Sequence, residues 1–264
     1  MPLKKFLNAP ENTVTRERMF FNKLYFDLKL AAMRANYHLS VFEPEVDRDK
    51  FDVLLDDGDN ERRIQLKAFT KSSGTARWSS NKRFMRPDTL IGSRLNIAPA
   101  DCGIGGAFFL IEIDDFSEDA PVSYFYTDRS IIYALEVGLL REAVSPVKRR
   151  GKPPLERSKL AKTFLEELAA GEPKDKIFLH KNLFLRVKSA DALLAIAGFH
   201  SKETCYLPVN HILDAELEQI AIEADGVSTA GLDQTQVAIA HARMVDLDAL
   251  LDEPQISVFT RRKP

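Results

Sequence analysis

Between Phe51 and Phe69 the chain is left with few options. Phe51-Asp52-Val53-Leu54-Leu55 and Arg63-Ile64-Gln65-Leu66-Lys67 have strand character, and Asp56-Asp57-Gly58-Asp59-Asn60 between them is turn-forming throughout. The pattern predicts an antiparallel hairpin. Strand alternation then sends Ile64 and Leu66 to one face and Gln65 and Lys67 to the other, with Asp52 at the start of the neighbouring strand. One carboxylate, one carboxamide oxygen, one backbone carbonyl and one ammonium are thereby expected to converge at the open end of the hairpin. Hard oxygen ligands of this kind suit Mg²⁺ or Mn²⁺, which activates water and neutralises charge building on a phosphate. Lys67 beside them is placed to orient that water or help deprotonate it.

The flanking segments set this hairpin in a mixed α and β chain. Residues 12 to 35 carry Phe20, Phe21, Leu24, Leu28 and Ala31/Ala32 at helical spacing, with Pro10 and Asn12 marking the start. Leu39 to Phe42 has strand character. Residues 70 to 100 are polar and irregular and predict a long loop with a short helix at most. Ala107 to Ile113 is a continuous apolar run suited to a central strand, Ser123 to Thr127 is its expected neighbour, and Asp128 is placed to cap a helix running through Leu140. Further on, the spacing predicts a helix over 155 to 170 stopped by Gly171, a strand over 177 to 187, a helix over 190 to 197 stopped by Gly198, and two more helices near 211 to 223 and 233 to 251.

Asp52 followed by Gln65-Leu66-Lys67, behind an amphipathic helix and ahead of two more strands, resembles the PD-(D/E)XK restriction-endonuclease-like nuclease superfamily. The QXK form looks most like the Mrr-like restriction nucleases and a bacterial family that keeps "D…QLK" in this order. The resemblance covers residues 12 to 140, about half the chain. It implies a mixed central sheet flanked by helices and metal-dependent hydrolysis of DNA phosphodiesters, with restriction or phage defence as the setting. By the same resemblance Asp52, Gln65 and the Leu66 carbonyl are the metal ligands and Lys67 is the catalytic base or electrostatic stabiliser. Gln65 stands where the superfamily more often has an acid, so a second carboxylate is wanted. Glu17, one turn before Phe20/Phe21 on the first helix, is the candidate, whereas Glu43 and Asp49 are expected to be ordinary loop acids.

A formal net charge of -2 conceals a strong asymmetry along the chain. From Glu61 to Arg94 nine Lys/Arg stand against two acids, and from Arg141 to Lys162 eight against two, whereas from Glu203 to Glu253 eleven acids face Arg243 alone. A polyanion prefers the first end. Lys71, Arg77, Lys82, Arg83 and Arg86, interleaved with Trp78 and Phe84, are therefore the expected DNA contacts, with Arg94 beyond them and Arg149/Arg150 as an outer arm. The basic residues are expected to line one groove leading to Lys67, with Trp78 stacking on a base or wedging into a groove.

The 264 residues are 45% hydrophobic and 29% charged, enough to bury one large core or two modest ones. Ser145 to Pro154 breaks all periodicity with three prolines and four bases. It divides the expected organisation into a nuclease-like domain (1–144), a basic linker (145–154) and an acidic, mainly helical C-terminal region (155–264). That last region is left to mediate self-association as a homodimer, bind a partner subunit or shield the basic groove. Two cysteines exclude a disulfide framework. His200, Cys205 and His211 lack zinc spacing, Gly103 to Gly106 lacks the spacing of a dinucleotide loop, and neither a P-loop nor a nucleophile elbow is present. No run approaches the roughly 18 apolar residues of a membrane span and MPLKKFLNAP lacks a signal-peptide core, so a cytoplasmic address is expected. The competing function is a nuclease fold without activity, acting as a nucleic-acid-binding or assembly subunit.

Overall fold

The computed structural model describes residues 9–45, 51–71, 74–94, 97–113, 122–136, 140, 156–199, 221–223, 226–228, 247 and 249–252. Helix α1 (Thr13–Arg34) buries Phe20, Leu24, Leu28, Ala31 and Ala32, the stripe that its three- and four-residue spacing dictates. The chain leaves it through Asn36 at φ 62°, a left-handed position that asparagine tolerates. Strands β1 (Ser40–Phe42), β2 (Val53–Asp56) and β3 (Glu61–Thr70) follow as an antiparallel meander. The β2–β3 turn is closed by Asp56 Oδ1, which accepts from Gly58 N, and by Asp57 Oδ1, which accepts from Asp59 N and Asn60 N.

The stretch expected as a loop is structured. It holds strand β4 (Arg77–Asn81), a single turn α2 (Lys82–Met85) and helix α3 (Thr89–Arg94). This segment is the crossover that lets β5 (Ala107–Ile113) return parallel to β3, pairing Gln65 with Phe108 and Lys67 with Leu110. Gly103 to Gly106 pack tightly on that crossover. Gly106 N donates to Phe84 O at 2.8 Å, and a Cβ at 106 would lie 2.2 Å from the Phe84 ring.

Strand β6 (Val122–Thr127) pairs antiparallel with β5, and Asp128 caps α4 (Arg129–Glu136) by accepting from Ile131 N. The basic stretch 145–154 lies outside the described residues. Beyond it come α5 (Arg157–Ala169), β7 (Lys176–His180), β8 (Leu185–Val187) and α6 (Ala190–Ala197), the last capped by the Ser189 side chain and by Gly198 at φ 96°. The strand expected over 177–187 is thus two strands. His180 caps a 3-10 turn at Lys181–Leu183, and the chain changes sheets there.

The main sheet has the order β1-β2-β3-β5-β6-β8, and β4 pairs with β7 as a separate two-stranded ribbon. The chain beyond 155 therefore does not stand apart as a mainly helical unit. β8 extends the sheet beside β6, α6 packs against α1 and β6, and Leu183, Leu193 and Ile196 join Phe20, Ile64 and Phe109 in one hydrophobic core. The expected helix near 211–223 meets a second correction where it can be compared: Ala221–Glu223 is a strand, β9, paired with β10 (Gly226–Ser228). Most of 200–246 lies outside the described residues. Among the described residues no helix is long and apolar enough to cross a membrane.

Candidate active site

The hairpin pairs as its sequence requires, with Val53 opposite Ile64. Asp52 sits one residue outside β2, where its backbone still donates to Ile64 O at 2.9 Å. Its carboxylate turns back on the partner strand, and Leu66 N donates to Asp52 Oδ2 at 2.6 Å. A charge-assisted bond of this length fixes both the carboxylate and the backbone just ahead of Lys67.

Above this end of β3 lies a cavity of about 640 Å³. Asp52 and Lys67 from the hairpin and Glu17 from α1 line it together. Phe20, Phe51, Leu66, Trp78 and Ile111 supply its apolar walls. At the rim Arg18 pairs with Glu43 at 2.7 Å and lies 5.0 Å over the Phe21 ring. The hydrogen bond to Glu43 raises the Arg18 pKa, so this guanidinium stays charged. Glu43, expected as an ordinary loop acid, and Arg18, given no role by the sequence, thus link α1 to the segment after β1 beside Asp52. Only the position of Arg18 next to Glu17 on the helix marks it beforehand.

Four of the residues expected in catalysis or metal binding meet at this cavity: Asp52, Leu66, Lys67 and Glu17. Gln65 does not line it, and its Oε1 is buried. With Glu43 engaged by Arg18, the cavity offers two further carboxylates, Asp52 and Glu17, and a backbone segment whose amide is already engaged with Asp52. That donor chemistry fits Mg²⁺, which takes one or two protein carboxylates and fills its remaining positions with water and substrate phosphate. Among the described residues no group of three or more His, Cys, Asp or Glu gathers that could hold a metal by itself.

The expected basic groove is corrected more heavily. Lys82 and Arg86 are buried, at 8% and 3% exposure, and face inward. Arg86 donates to Leu168 O at 3.0 Å and Gly171 O at 2.8 Å, and Lys82 donates to Ala170 O at 2.6 Å. Both cations finish the C-terminal end of α5, where unpaired carbonyls and the negative end of the helix dipole draw them in. Arg62, from the same basic run, is also internal, bonded to Asp128 at 2.7 Å and to the Tyr126 hydroxyl at 2.9 Å. Burial, reinforced by Asp128, keeps the Tyr126 hydroxyl protonated well above its ordinary range. Lys71, Arg77 and Arg83 remain exposed. Trp78 is half-buried, tilted against Phe69 at 5.7 Å and edge-on to Phe184 at 5.8 Å, with part of its surface in the cavity wall. The Arg94 side chain, Arg149 and Arg150 lie outside the described residues. No protein-family model matches this chain, nor does any curated protein.

Proposed function

We propose that the protein is a metal-dependent nuclease hydrolysing DNA phosphodiester bonds at the cavity between α1 and the β2–β3 hairpin. The observation that carries this is the meeting of Asp52, Glu17 and Lys67 in one cavity at the open end of a strand pair fixed by the Asp52–Leu66 bond. The mixed central sheet flanked by helices also supports it, as the kind of architecture that the sequence resemblance to PD-(D/E)XK nucleases implies. Mg²⁺ or Mn²⁺, when held by Asp52 and Glu17, supplies a water of lowered pKa and positive charge for the phosphate. The chain does the rest. Asp52 keeps the end of β3 in register, and Lys67 positions the attacking water and stabilises negative charge as it grows on the phosphate oxygens. The water oxygen forms the new bond to phosphorus and gives up a proton to solvent, the ester bond on the opposite side breaks, and the leaving alkoxide takes up a proton from solvent. Phe51, Leu66 and Trp78 reduce bulk water around the phosphate, which strengthens the attraction between it and the Lys67 ammonium.

Purified protein is expected to degrade DNA with Mg²⁺ or Mn²⁺, and Lys67→Ala to lower the rate by about 10²- to 10⁴-fold with an unchanged thermal midpoint. Wild-type cleavage rates in that variant would refute the assignment. A second reading, a nuclease-fold subunit that binds DNA without cutting it, draws on the withdrawal of Gln65 from the cavity and on the sparse acid set. It predicts DNA binding with no metal-stimulated cleavage in either protein.

A further inference from the structure

The β4·β7 ribbon presents a face that the main sheet does not cover. Burial alternates along both strands: Trp78, Ser80, Ile177 and Leu179 turn inward, while Arg77, Ser79, Lys176 and Phe178 are exposed. The register places Arg77 opposite His180, Ser79 opposite Phe178 and Asn81 opposite Lys176. All six therefore share the outward face, and none is an acid. Cations stand at two diagonal corners, hydrogen-bonding side chains lie between them, and Phe178, 58% exposed, stands at the centre. Exposed Lys174 and Arg83 flank the end near Asn81. The nearby acids Glu172 and Asp175 are in the preceding turn, where Asp175 lies 3.8 Å from the Lys82 ammonium and accepts from Glu172 N.

We infer that this outward face docks into the major groove of duplex DNA, with Arg77 and Lys176 on phosphates of the two groove walls and Phe178 and Ser79 against base edges. Size and charge both favour that occupant. A ribbon of two strands about 4.8 Å apart, rising about 3.3 Å per residue, fits a groove about 12 Å wide, and a face with cations and no carboxylate complements its phosphate walls. Continuity with the cavity adds a third argument. Trp78, on the inner face of the same strand, is part of the cavity wall, so a duplex held on the ribbon lies beside the cleft that holds Lys67. The inference rests on the nuclease reading only for what happens in that cleft.

The test separates the two. Binding of a fluorescent duplex is measured by anisotropy in EDTA, in a Lys67→Ala background, across a range of salt concentrations, so that no cleavage is needed to read it. Arg77→Ala with Lys176→Ala is expected to lower duplex affinity about tenfold or more and to flatten the log–log salt slope by about 2, one for each lost phosphate contact. Arg77→Lys should keep the slope. Phe178→Ala should cost affinity several-fold with the slope unchanged. Thermal midpoints of these surface variants should match the parent and thereby show that the fold is intact. Unaltered affinity and slope in the double variant overturn the inference, as does equal affinity for the single strand of the same sequence. Neither result touches the cleavage assay, whose failure would count against the nuclease reading alone.

Discussion

The β2–β3 hairpin and the β4·β7 ribbon are both two-stranded antiparallel units beside the same cavity, yet they are held in opposite ways. The hairpin is made from neighbours in the chain. A turn closed by Asp56 and Asp57 joins its strands, and Asp52 bonds back to Leu66 at the open end. The ribbon joins two segments far apart in the chain. It is held to the body by Trp78 between Phe69 and Phe184, and by Lys82 and Arg86 reaching the end of α5. Local construction leaves Asp52 and Lys67 of the hairpin lining the cavity. Long-range construction consumes part of the ribbon's charge as structure, so of two positive residues from one run of sequence Arg77 ends exposed and Arg86 buried.

That contrast breaks most sharply at Arg86. Its guanidinium is buried among the carbonyls of Leu168, Ala169 and Gly171, with Asp101 at 3.4 Å. Arg86→Ala strands those acceptors away from water, and is expected to destabilise the protein by about 3–5 kcal/mol in urea unfolding. Surviving protein should bind duplex with the parent salt slope. Unchanged stability with a weakened slope would instead return Arg86 to the DNA surface and abolish the distinction from Arg77.

These two units also mark where the sequence was readable. The hairpin, α1, β5 and α6 follow from patterns confined to a dozen or so neighbouring residues: turn chemistry at Gly58, helical spacing from Phe20 to Ala32, the apolar run at Ala107, and Gly198 as a stop. Asp52, Lys67 and Glu17 were legible because strand and helix periodicity fixes which way they point. Strand β4 was not. Arg77-Trp78-Ser79-Ser80-Asn81 carries one apolar residue on its inward face, and its partner β7 lies on the far side of β5 and β6 in the chain. The fates of Lys82 and Arg86 were hidden for the same reason. A charge run does not distinguish a solvated cation from one that meets the carbonyls of a helix some eighty residues later. Gln65 shows a finer limit, since alternation gives its face but not its depth.

Trp78 of the ribbon packs on Phe69 of the hairpin strand, and its loss is expected to have a middling effect. It is half-buried between two aromatic rings, so Trp78→Ala should cost about 2–3 kcal/mol, below the range for a fully buried tryptophan. A double-mutant cycle with Phe184→Ala should show coupling of about 1 kcal/mol, whereas a cycle with Asp52→Asn should be additive within about 0.5 kcal/mol. Coupling to Asp52 as strong as to Phe184 would mean that ribbon and hairpin behave as one unit.

The smallest effect sharpens the comparison through pH. The ribbon leans on α5, and α5 packs against α4, where Glu136 faces Lys162 and Glu166 with Arg129 on its own helix. Burial raises the Glu136 pKa, Glu166 adds to the rise, and Lys162 and Arg129 oppose it. A carboxyl held above its unfolded value binds its proton more tightly in the folded state. Stability therefore falls as pH rises from the unfolded value, about 4.3, through the folded one, and is level above that. Glu136→Gln removes the loss. With the group partly solvated, the gain at pH 7.5 is expected to be about half a kcal/mol, or about 1–2 °C in thermal midpoint, and to vanish below about pH 4. A gain of the same size at both pH values would mean that packing rather than charge set it. A gain that also raised protection of the Leu66 amide in hydrogen exchange by more than the global midpoint accounts for would tie the hairpin to the α4–α5 layer, against the independence argued for it.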